Sequence, residues 1–193
     1  MWDDHEKKSK TEIAFNSNIK RILLREDLLV VVLEEKLFVF NFDTYKLIEQ
    51  VETIKNPMGL CGISTALRPI SKTICAPHPQ KGSIRVLNYV VDKSIENVIQ
   101  AHDSDIGALT VNPMGTLIAS ASTKGTVIRI FSAEGGEHLQ ELRRGSNKAV
   151  ITELIFHPTL YLIACSSNKT SIHLFEIKKS VKKCIENKEY GFT

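Results

Sequence analysis

The segment NPMGTLIASAS, residues 112–122, is followed by a related segment, HPTLYLIACSS, at residues 157–167. The prolines of the two segments are 45 positions apart. After each segment a short polar turn leads to a second apolar run, VIRIF at residues 127–131 and IHLF at residues 172–175. Each unit therefore contains two apolar runs joined by a turn, which is typical of a β-hairpin.

The same hairpin pattern recurs earlier in the chain. Gly82 opens the run GSIRVL, and 43 positions later Gly125 opens the similar run GTVIRI. Residues 28–33 and 37–40, LLVVVL and LFVF, form a weaker copy. A period of about 40 to 45 residues with several short strands in each unit is typical of a β-propeller blade. We therefore predict an all-β fold of four-stranded antiparallel propeller blades, with almost no helix because no segment has a 3.6-residue apolar period.

The length of the chain, 193 residues, accommodates about four such units. The chain is expected to begin and end inside a unit. Residues 11–15 resemble the outer strand that completes a first blade, and no outer strand follows the run that ends at Phe175. An open row of blades leaves strand edges unpaired, which closed propellers avoid. We therefore expect an unclosed part of a larger propeller.

The composition is that of an ordinary globular protein, with 42% hydrophobic and 24% charged residues. A net charge of +3 is too small to indicate a nucleic-acid partner by itself, so an electrostatic argument has to be local. The charged N-terminus lacks the apolar core of a signal peptide, and no apolar run approaches the roughly 20 residues of a membrane-spanning helix. No CxxC pair is present, and we expect reduced thiols of a cytosolic protein at Cys61, Cys75, Cys165 and Cys184.

One stretch departs from the strand pattern, because ELRRGS, residues 141–146, places two arginines side by side at the end of a strand. Together with IKNPMGLC (54–61), AHDSDI (101–106) and SASTKGTVIRIF (120–131), it resembles the motifs of the PROPPIN family in order and spacing. The resemblance covers essentially the whole chain. It implies part of a seven-bladed β-propeller that binds phosphoinositides and acts in autophagy and in endosomal or vacuolar traffic.

This resemblance also assigns the blades, from the end of blade 2 to the third strand of blade 6. The expected parts are the end of blade 2 at residues 1–18, blade 3 at 19–56, blade 4 at 57–104, blade 5 at 105–148, the start of blade 6 at 149–177 and the start of a blade 6 loop at 178–193.

Arg143 and Arg144 point to opposite sides if both lie in a strand, because neighbouring side chains alternate there. Each arginine can then serve a separate pocket in one of the two flanking blades. A guanidinium group offers phosphate two parallel donors, and hydroxyl groups add further donors. Polar residues at equivalent positions complete two expected phosphate sites: the blade 5 site of His102, Ser122, Thr126, Arg129 and Arg143, and the blade 6 site of Arg144, Ser167, Ser171 and His173.

The resemblance implies phosphatidylinositol 3-phosphate and phosphatidylinositol 3,5-bisphosphate as the ligands. Two weak sites on one rigid rim act together through effective concentration. Thr170 stands where the family commonly has glycine, which affects the shape of the blade 6 site. A loop from residue 178 onward is expected to approach the membrane, with about 1 kcal/mol contributed by each lysine close to anionic lipid: Lys178, Lys179, Lys182, Lys183 and Lys188.

Several of these residues have structural alternatives. A histidine at the entry of a blade often joins strands through hydrogen bonds, so a structural role and a lipid-binding role both stay open for His102. The hydroxyl groups of Ser122, Thr126, Ser167 and Ser171 can equally satisfy the amides of turns. No catalytic motif and no metal-like spacing of histidines is present, so we expect neither an enzyme nor a bound cofactor or metal.

Two functions remain open. The first is a phosphoinositide effector on preautophagosomal, endosomal or vacuolar/lysosomal membranes, with autophagy proteins as partners. The second is a WD-repeat scaffold for protein interaction that does not bind lipid. Nucleic-acid binding is not expected, because it needs a basic face with stacking aromatic residues and Trp2 is the single tryptophan.

Overall fold

A computed structural model describes residues 2–5, 7–9, 11–66, 71–90 and 93–181. The chain divides into two compact units, residues 1–59 and 60–193.

The first unit contains two antiparallel sheets. Strands β1 and β2 form a small pair, and the four strands β3 to β6 follow one another in the second sheet. The central strands are rich in valine, leucine and phenylalanine, which favour a pleated and buried backbone. The strands are β1 (Trp2–Asp3), β2 (Lys8–Ser9), β3 (Arg21–Leu24), β4 (Leu28–Val32), β5 (Lys36–Asn41) and β6 (Leu47–Glu52).

Residues 11–15 do not form the predicted outer strand, and the prediction was wrong at this point. Ile13 and Phe15 are held by side-chain packing instead. They lie against an apolar cluster that includes Val31 and Phe40, and the rings of Phe15 and Phe38 are 5.1 Å apart. Apolar residues at alternate positions are typical of a strand, but they equally suit an extended segment that packs through its side chains alone.

The second unit contains three sheets of consecutive antiparallel strands. Two sheets have four strands and the last has three. The strands are β7 (Gly62–Ile63), β8 (Lys72–Pro77), β9 (Ser83–Val90), β10 (Lys93–Gln100), β11 (Ile106–Val111), β12 (Leu117–Ser122), β13 (Val127–Ser132), β14 (His138–Arg143), β15 (Ile151–Phe156), β16 (Leu162–Ser167) and β17 (His173–Glu176).

The predicted all-β fold of propeller blades is confirmed, since each large sheet is a meander of the kind that forms a blade. In the described part of the chain, the only helical residues are 179–181. Each repeated segment that predicted the blades begins with the turn between the first and second strands and continues through the second strand. Asn112 Oδ1 accepts the N–H groups of Thr116 and Leu117 at 2.8 Å each, and His157 Nδ1 accepts that of Leu160 at 2.9 Å.

Strand β12 shows how the blades of the second unit pack. Every residue of this strand is buried, and its side chains alternate between two apolar clusters. Leu117 and Ala119 contact a cluster shared with β15 and β16, whereas Ile118 contacts a cluster shared with β8 and β9. The middle sheet therefore packs on both faces.

Cys61, Cys75 and Cys165 are buried and form no disulfide with one another; Cys75 lies in β8, Cys165 lies in β16, and Cys61 directly precedes β7. Burial raises the pKa of the Cys75 thiol well above its ordinary value. Cys184 lies outside the described residues.

Candidate functional site

The two adjacent arginines lie where β14 ends. Along β14 the side chains of Gln140 and Leu142 are buried, whereas those of Glu141 and Arg143 are exposed. Arg144 continues the alternate buried positions of Gln140 and Leu142, and it is only 9% exposed. Adjacent residues therefore lie in opposite surroundings, as alternation along a strand requires.

Arg144 is turned into the protein and is bound by backbone carbonyl groups. Its Nε donates to the carbonyl oxygen of Gly125 at 2.8 Å, and a terminal nitrogen donates to the carbonyl oxygen of Asn147. The backbone N–H groups of Arg144 and Gly145 both donate to the backbone carbonyl oxygen of Thr126, at 3.0 and 3.2 Å. Burial raises the pKa of the Cys165 thiol, and the positive charge of Arg144 opposes this rise, so the guanidinium lies close to β16.

Arg143 is exposed, and it pairs with Val127 of β13 through the backbone register. Its guanidinium makes no hydrogen bond or ion pair with any residue that the structure describes. Its guanidinium donors are therefore unoccupied within the described part of the chain, and the side chain is available to an anion.

A row of polar side chains crosses the sheet β11–β14, which is the expected blade 5; the sheet β15–β17 is the expected blade 6. The backbone register aligns Ser120 on β12 with Arg129 on β13 and Glu141 on β14. Arg129 Nε donates to Glu141 Oε2 at 2.8 Å, and another guanidinium nitrogen donates to the carbonyl oxygen of Ala101 at 2.7 Å. The row is completed by His102, whose Nε2 lies 2.9 Å from the hydroxyl oxygen of Ser120.

His102 is 4% exposed, so it is deeply buried. Burial, followed by the positive charge of Arg129, lowers the pKa of His102 to about 4. The imidazole is therefore neutral near pH 7 and brings no positive charge to a phosphate. This geometry favours the structural role of His102, which joins the segment after β10 to strand β12.

The hydroxyl groups of blade 5 lie in or beside the turn that joins β12 to β13. Ser122 is buried, and its Oγ accepts the N–H of Lys124 at 3.3 Å, so it satisfies an amide of the turn. The hydroxyl of Thr126 has no hydrogen bond with the described residues. In this turn Gly125 has a φ of +62°, and a Cβ at that position would lie 1.9 Å from the carbonyl oxygen of Ala149.

Blade 6 repeats part of this arrangement. Ser167 is buried, and its Oγ accepts the N–H of Lys169 at 3.4 Å. The hydroxyl of Ser171 lies 3.3 Å from Nε2 of His173, whose ring stacks on Phe175 at 6.0 Å. His173 faces Cys165 across the strand pair, as Arg129 faces Ser120 in blade 5.

Thr170, which stands where Gly125 stands in blade 5, does not adopt a positive φ. The two turns therefore have different backbone conformations at this position. A residue with a Cβ is therefore tolerated in the turn that contains Thr170.

Three lysines join Arg143 in what we call the basic rim: Lys124, Arg143, Lys148 and Lys169. These residues are exposed and make no ion pair within the described chain. Their segments are tied together, because Ala149 N–H donates to the carbonyl oxygen of Lys124 at 3.1 Å and Asn168 N–H donates to that of Val150 at 2.9 Å. The rim thus gathers exposed cations from both blades.

Sequence reasoning missed Glu141 as a member of the site. Arg129 lowers the pKa of the Glu141 carboxyl group, so the residue is a carboxylate at neutral pH. Its pairing with Arg129 follows from the register of the β13–β14 hairpin, which a residue count across the turn can indicate. The bulge between Ile130 and Phe131 makes that count uncertain from the sequence.

The lysines expected in a membrane loop are only partly described. Lys178 and Lys179 are exposed, and the backbone N–H of Lys178 donates to the side-chain carbonyl of Gln140 at 2.9 Å. Lys182, Lys183 and Lys188 lie outside the described residues. Within the described chain no helix has the length and apolar character needed to cross a bilayer, and no cluster of three acidic, histidine or cysteine side chains is placed to hold a metal ion.

Comparison with known proteins gives a family match over most of the chain, because the PROPPIN family model matches residues 3–190. SVP1-like protein 2 of Schizosaccharomyces pombe is 33% identical over 180 residues, which cover 93% of this chain and 49% of that protein. Autophagy-related protein 18e of Arabidopsis thaliana is 35% identical over 181 residues, covering 94% of this chain and 47% of the plant protein. The chain thus spans about half the length of the curated relatives it matches.

Solved structures show the same fold. Kluyveromyces lactis Hsv2 matches with a TM-score of 0.81 at 23% identity, over 94% of this chain and 56% of that one. A chain from the complex of KlAtg21 with the coiled-coil of AgAtg16 matches with a TM-score of 0.77 at 26% identity, over 93% of this chain and 58% of that one.

Proposed function

The chain belongs to the PROPPIN family, and from that premise we propose that it is part of a peripheral membrane protein of autophagy that binds phosphoinositides through blades 5 and 6. The proposed ligands are phosphatidylinositol 3-phosphate and phosphatidylinositol 3,5-bisphosphate. The proposed places of action are preautophagosomal, endosomal and vacuolar or lysosomal membranes, in autophagosome formation and in traffic. In this proposal the sheets β3–β6, β7–β10, β11–β14 and β15–β17 are blades 3, 4, 5 and 6.

The exposed guanidinium of Arg143 is the observation that carries the proposal. It lies at the end of β14 without a protein partner among the described residues, and Lys124 and Lys148 on neighbouring segments are also exposed and unpaired. A phosphomonoester carries a charge of about −1.5 to −2 and three acceptor oxygens at neutral pH. A guanidinium with all its donors available can bind two of those oxygens in parallel.

The blade 6 site is proposed to work differently. Arg144 already donates to two backbone carbonyl oxygens. It therefore contributes mainly a fixed positive charge, because fewer of its donors are left for a phosphate. Ser171 and His173 lie side by side near the surface and supply donors that can turn toward a phosphate. Lys169 adds an exposed cation from the adjacent turn.

Two headgroup sites on one rigid unit bind a membrane more tightly than either site alone, because the first contact sets a high local concentration for the second. The lysines of the basic rim, together with Lys178 and Lys179, add attraction to anionic lipid of about 1 kcal/mol each when they are near the surface. Affinity is therefore expected to be shared among several weak contacts.

The proposed activity is binding and not catalysis. His102, the residue type most often used as a general base, is bonded to Ser120 inside the sheet and is 4% exposed. Such a histidine is not within reach of a substrate.

Cosedimentation of the purified protein with vesicles tests the proposal. The vesicles contain phosphatidylcholine with or without phosphatidylinositol 3-phosphate. Arg143→Thr is expected to weaken lipid-dependent binding by about tenfold or more, because a charge-assisted pair of hydrogen bonds is lost. Arg143→Lys keeps the charge but not the planar fork, and it should recover only part of the binding. Equal binding by the wild type and Arg143→Thr would overturn the proposal.

A scaffold for protein interaction without lipid binding is the second candidate. The outer strand β10 exposes the apolar side chain of Ile95, which is 65% accessible, to a protein partner. One of the similar solved folds comes from a complex with a coiled-coil. The scaffold hypothesis is supported if vesicle assays show no lipid dependence and if Ile95→Glu abolishes the capture of an autophagy protein.

A further inference from the structure

Glu141 places a carboxylate inside the cluster of cations that is proposed to bind phosphate. Its Oε2 accepts a hydrogen bond from Arg129 Nε at 2.8 Å, and the two side chains are 44% and 33% exposed. Glu141 and Arg143 are two positions apart on β14, so they face the same side of the sheet at a separation of about 7 Å. A phosphate bound by Arg143 on that side would therefore lie near the Glu141 carboxylate.

We propose that Glu141 limits the affinity of the blade 5 site: its carboxylate occupies donors of Arg129, and a phosphate has to displace or share that contact. This inference rests on the proposed function. A carboxylate and a phosphate compete for the same donor geometry of a guanidinium. A phosphomonoester brings nearly two charges to that competition, whereas the phosphodiester of an ordinary anionic lipid brings one.

The charge of Glu141 opposes an anion at this position, and it opposes a phosphomonoester of nearly two charges more strongly than a phosphodiester of one. Arg129 retains donors that make no hydrogen bond within the described chain, because only its Nε and one terminal nitrogen are bonded to Glu141 and Ala101. Those donors can reach a phosphate once it is seated beside Arg143.

Blade 4 supplies a matched control. Arg85 Nε donates to Glu96 at 2.9 Å, so the same kind of pair joins β9 to β10. The side chain of Arg85 is only 12% exposed, compared with 33% for Arg129. Glu96→Gln therefore removes an equal charge from an arginine–glutamate pair outside the proposed site, in which Glu96 lies diagonal to Arg85 and not directly opposite it.

The backbone shows why blade 4 does not share the site. The N–H groups of Ala101 and His102 both donate to the carbonyl oxygen of Gly82, as those of Arg144 and Gly145 donate to Thr126. By this correspondence Gln100 and Ala101 occupy in blade 4 the positions that Arg143 and Arg144 occupy in blade 5. Both blades contain an arginine–glutamate ion pair, but blade 4 has no two adjacent arginines at this junction.

Vesicle titrations of the purified protein test the inference. One set of phosphatidylcholine vesicles contains phosphatidylinositol 3-phosphate, and a second contains phosphatidylserine at equal surface charge. Glu141→Gln should strengthen binding to both sets by about threefold to tenfold, with the larger gain for phosphatidylinositol 3-phosphate, because its headgroup phosphate carries nearly two charges. Glu96→Gln should leave both affinities within about twofold of the wild type.

A double variant separates this role from simple positioning of Arg129. If Glu141 competes with phosphate, Arg129→Gln should weaken lipid binding more in the Glu141→Gln background than in the wild type. Binding by Glu141→Gln that is equal to or weaker than that of the wild type would overturn the inference, as would an equal gain from Glu96→Gln. Thermal unfolding of both glutamine variants checks that the sheets are intact.

The outcome distinguishes the inference from the proposed function. If Arg143→Thr loses lipid binding while Glu141→Gln fails to gain it, the proposed function stands and the role of Glu141 is wrong. If Arg143→Thr binds as well as the wild type, the proposed function fails and the inference fails with it.

Discussion

The Nε atom of Arg144 lies 2.8 Å from the carbonyl oxygen of Gly125, and this hydrogen bond joins the turn of one blade to the segment that enters the next. The same guanidinium bonds to the carbonyl oxygen of Asn147, on the far side of that segment. Arg144 is thus a structural cross-link as well as a charge beside the proposed blade 6 site. Mutational tests of lipid binding must separate the two effects.

Replacing Arg144 should destabilise the protein, whereas replacing Arg143 should not. Arg144→Thr removes charge-assisted hydrogen bonds from the carbonyl groups of Gly125, which is buried, and Asn147, which is exposed. This is expected to cost about 1.5 to 3 kcal/mol of unfolding free energy. Arg143→Thr removes an exposed side chain without a protein partner in the described chain. Urea denaturation of the two variants checks the difference, and equal stabilities would contradict the structural role of Arg144.

Gly125→Ala should destabilise the turn between β12 and β13. Its positive φ is unfavourable for a residue with a Cβ, and that Cβ would lie 1.9 Å from the carbonyl oxygen of Ala149. We expect a loss of more than about 1 kcal/mol, because the backbone of two segments has to shift. Gly145→Ala is the control, since a Cβ there meets nothing within 4 Å. Thermal unfolding of the two alanine variants gives the comparison.

Stability should fall with pH through the titration of His102. The pKa of His102 is lowered to about 4 in the folded protein by burial and by Arg129, whereas Asp103 and Glu141 oppose this shift only weakly. An unfolded chain has a histidine pKa of about 6.5 and therefore binds more protons between these values. The contribution of neutral His102 is complete above about pH 6.5 and is lost as the pH falls toward 4.

Between pH 7 and pH 5 this amounts to about 2 kcal/mol. Urea unfolding at the two pH values measures it. His102→Gln keeps hydrogen-bonding groups without a titrating ring, and it should remove most of the pH dependence. The same dependence in both proteins would show that other groups cause it.

Gln140→Leu should loosen the end of β17. The buried amide of Gln140 donates to the carbonyl oxygen of Glu176 at 3.1 Å and accepts the N–H of Lys178 at 2.9 Å. Leucine has a similar size but leaves both backbone groups without these partners, at a cost of about 1 to 3 kcal/mol. Hydrogen exchange at the Lys178 amide should accelerate, while exchange in β12 should change little.

The fold was predictable because the blade is a local pattern that repeats. The turns at Asn112 and His157, each followed by proline, mark the same step between the first and second strands, and alternating apolar runs predict the strands on either side. The prediction failed at residues 11–15, where Ile13 and Phe15 pack through their side chains but join no sheet. Periodicity reports which side chains are buried, and it does not report which backbone groups are paired.

The site was less predictable than the fold. The divergence of Arg143 and Arg144 follows from alternation along a strand, which is a local property. The bonds of Arg144 to Gly125 and Asn147 depend on how closely a turn and a loop approach in space, and no sequence pattern gives that distance. The same limit applies to Glu141, whose contact with Arg129 depends on a bulged register.

The carbonyl oxygens of Gly82 and Thr126 each accept two consecutive N–H groups, so successive blades share one backbone junction and differ in the side chains it displays. The junction keeps this hydrogen-bond pattern with glutamine and alanine in one blade and with two arginines in the next. In such a tandem array, the backbone hydrogen bonds that connect one sheet to the following turn do not require arginine at either position.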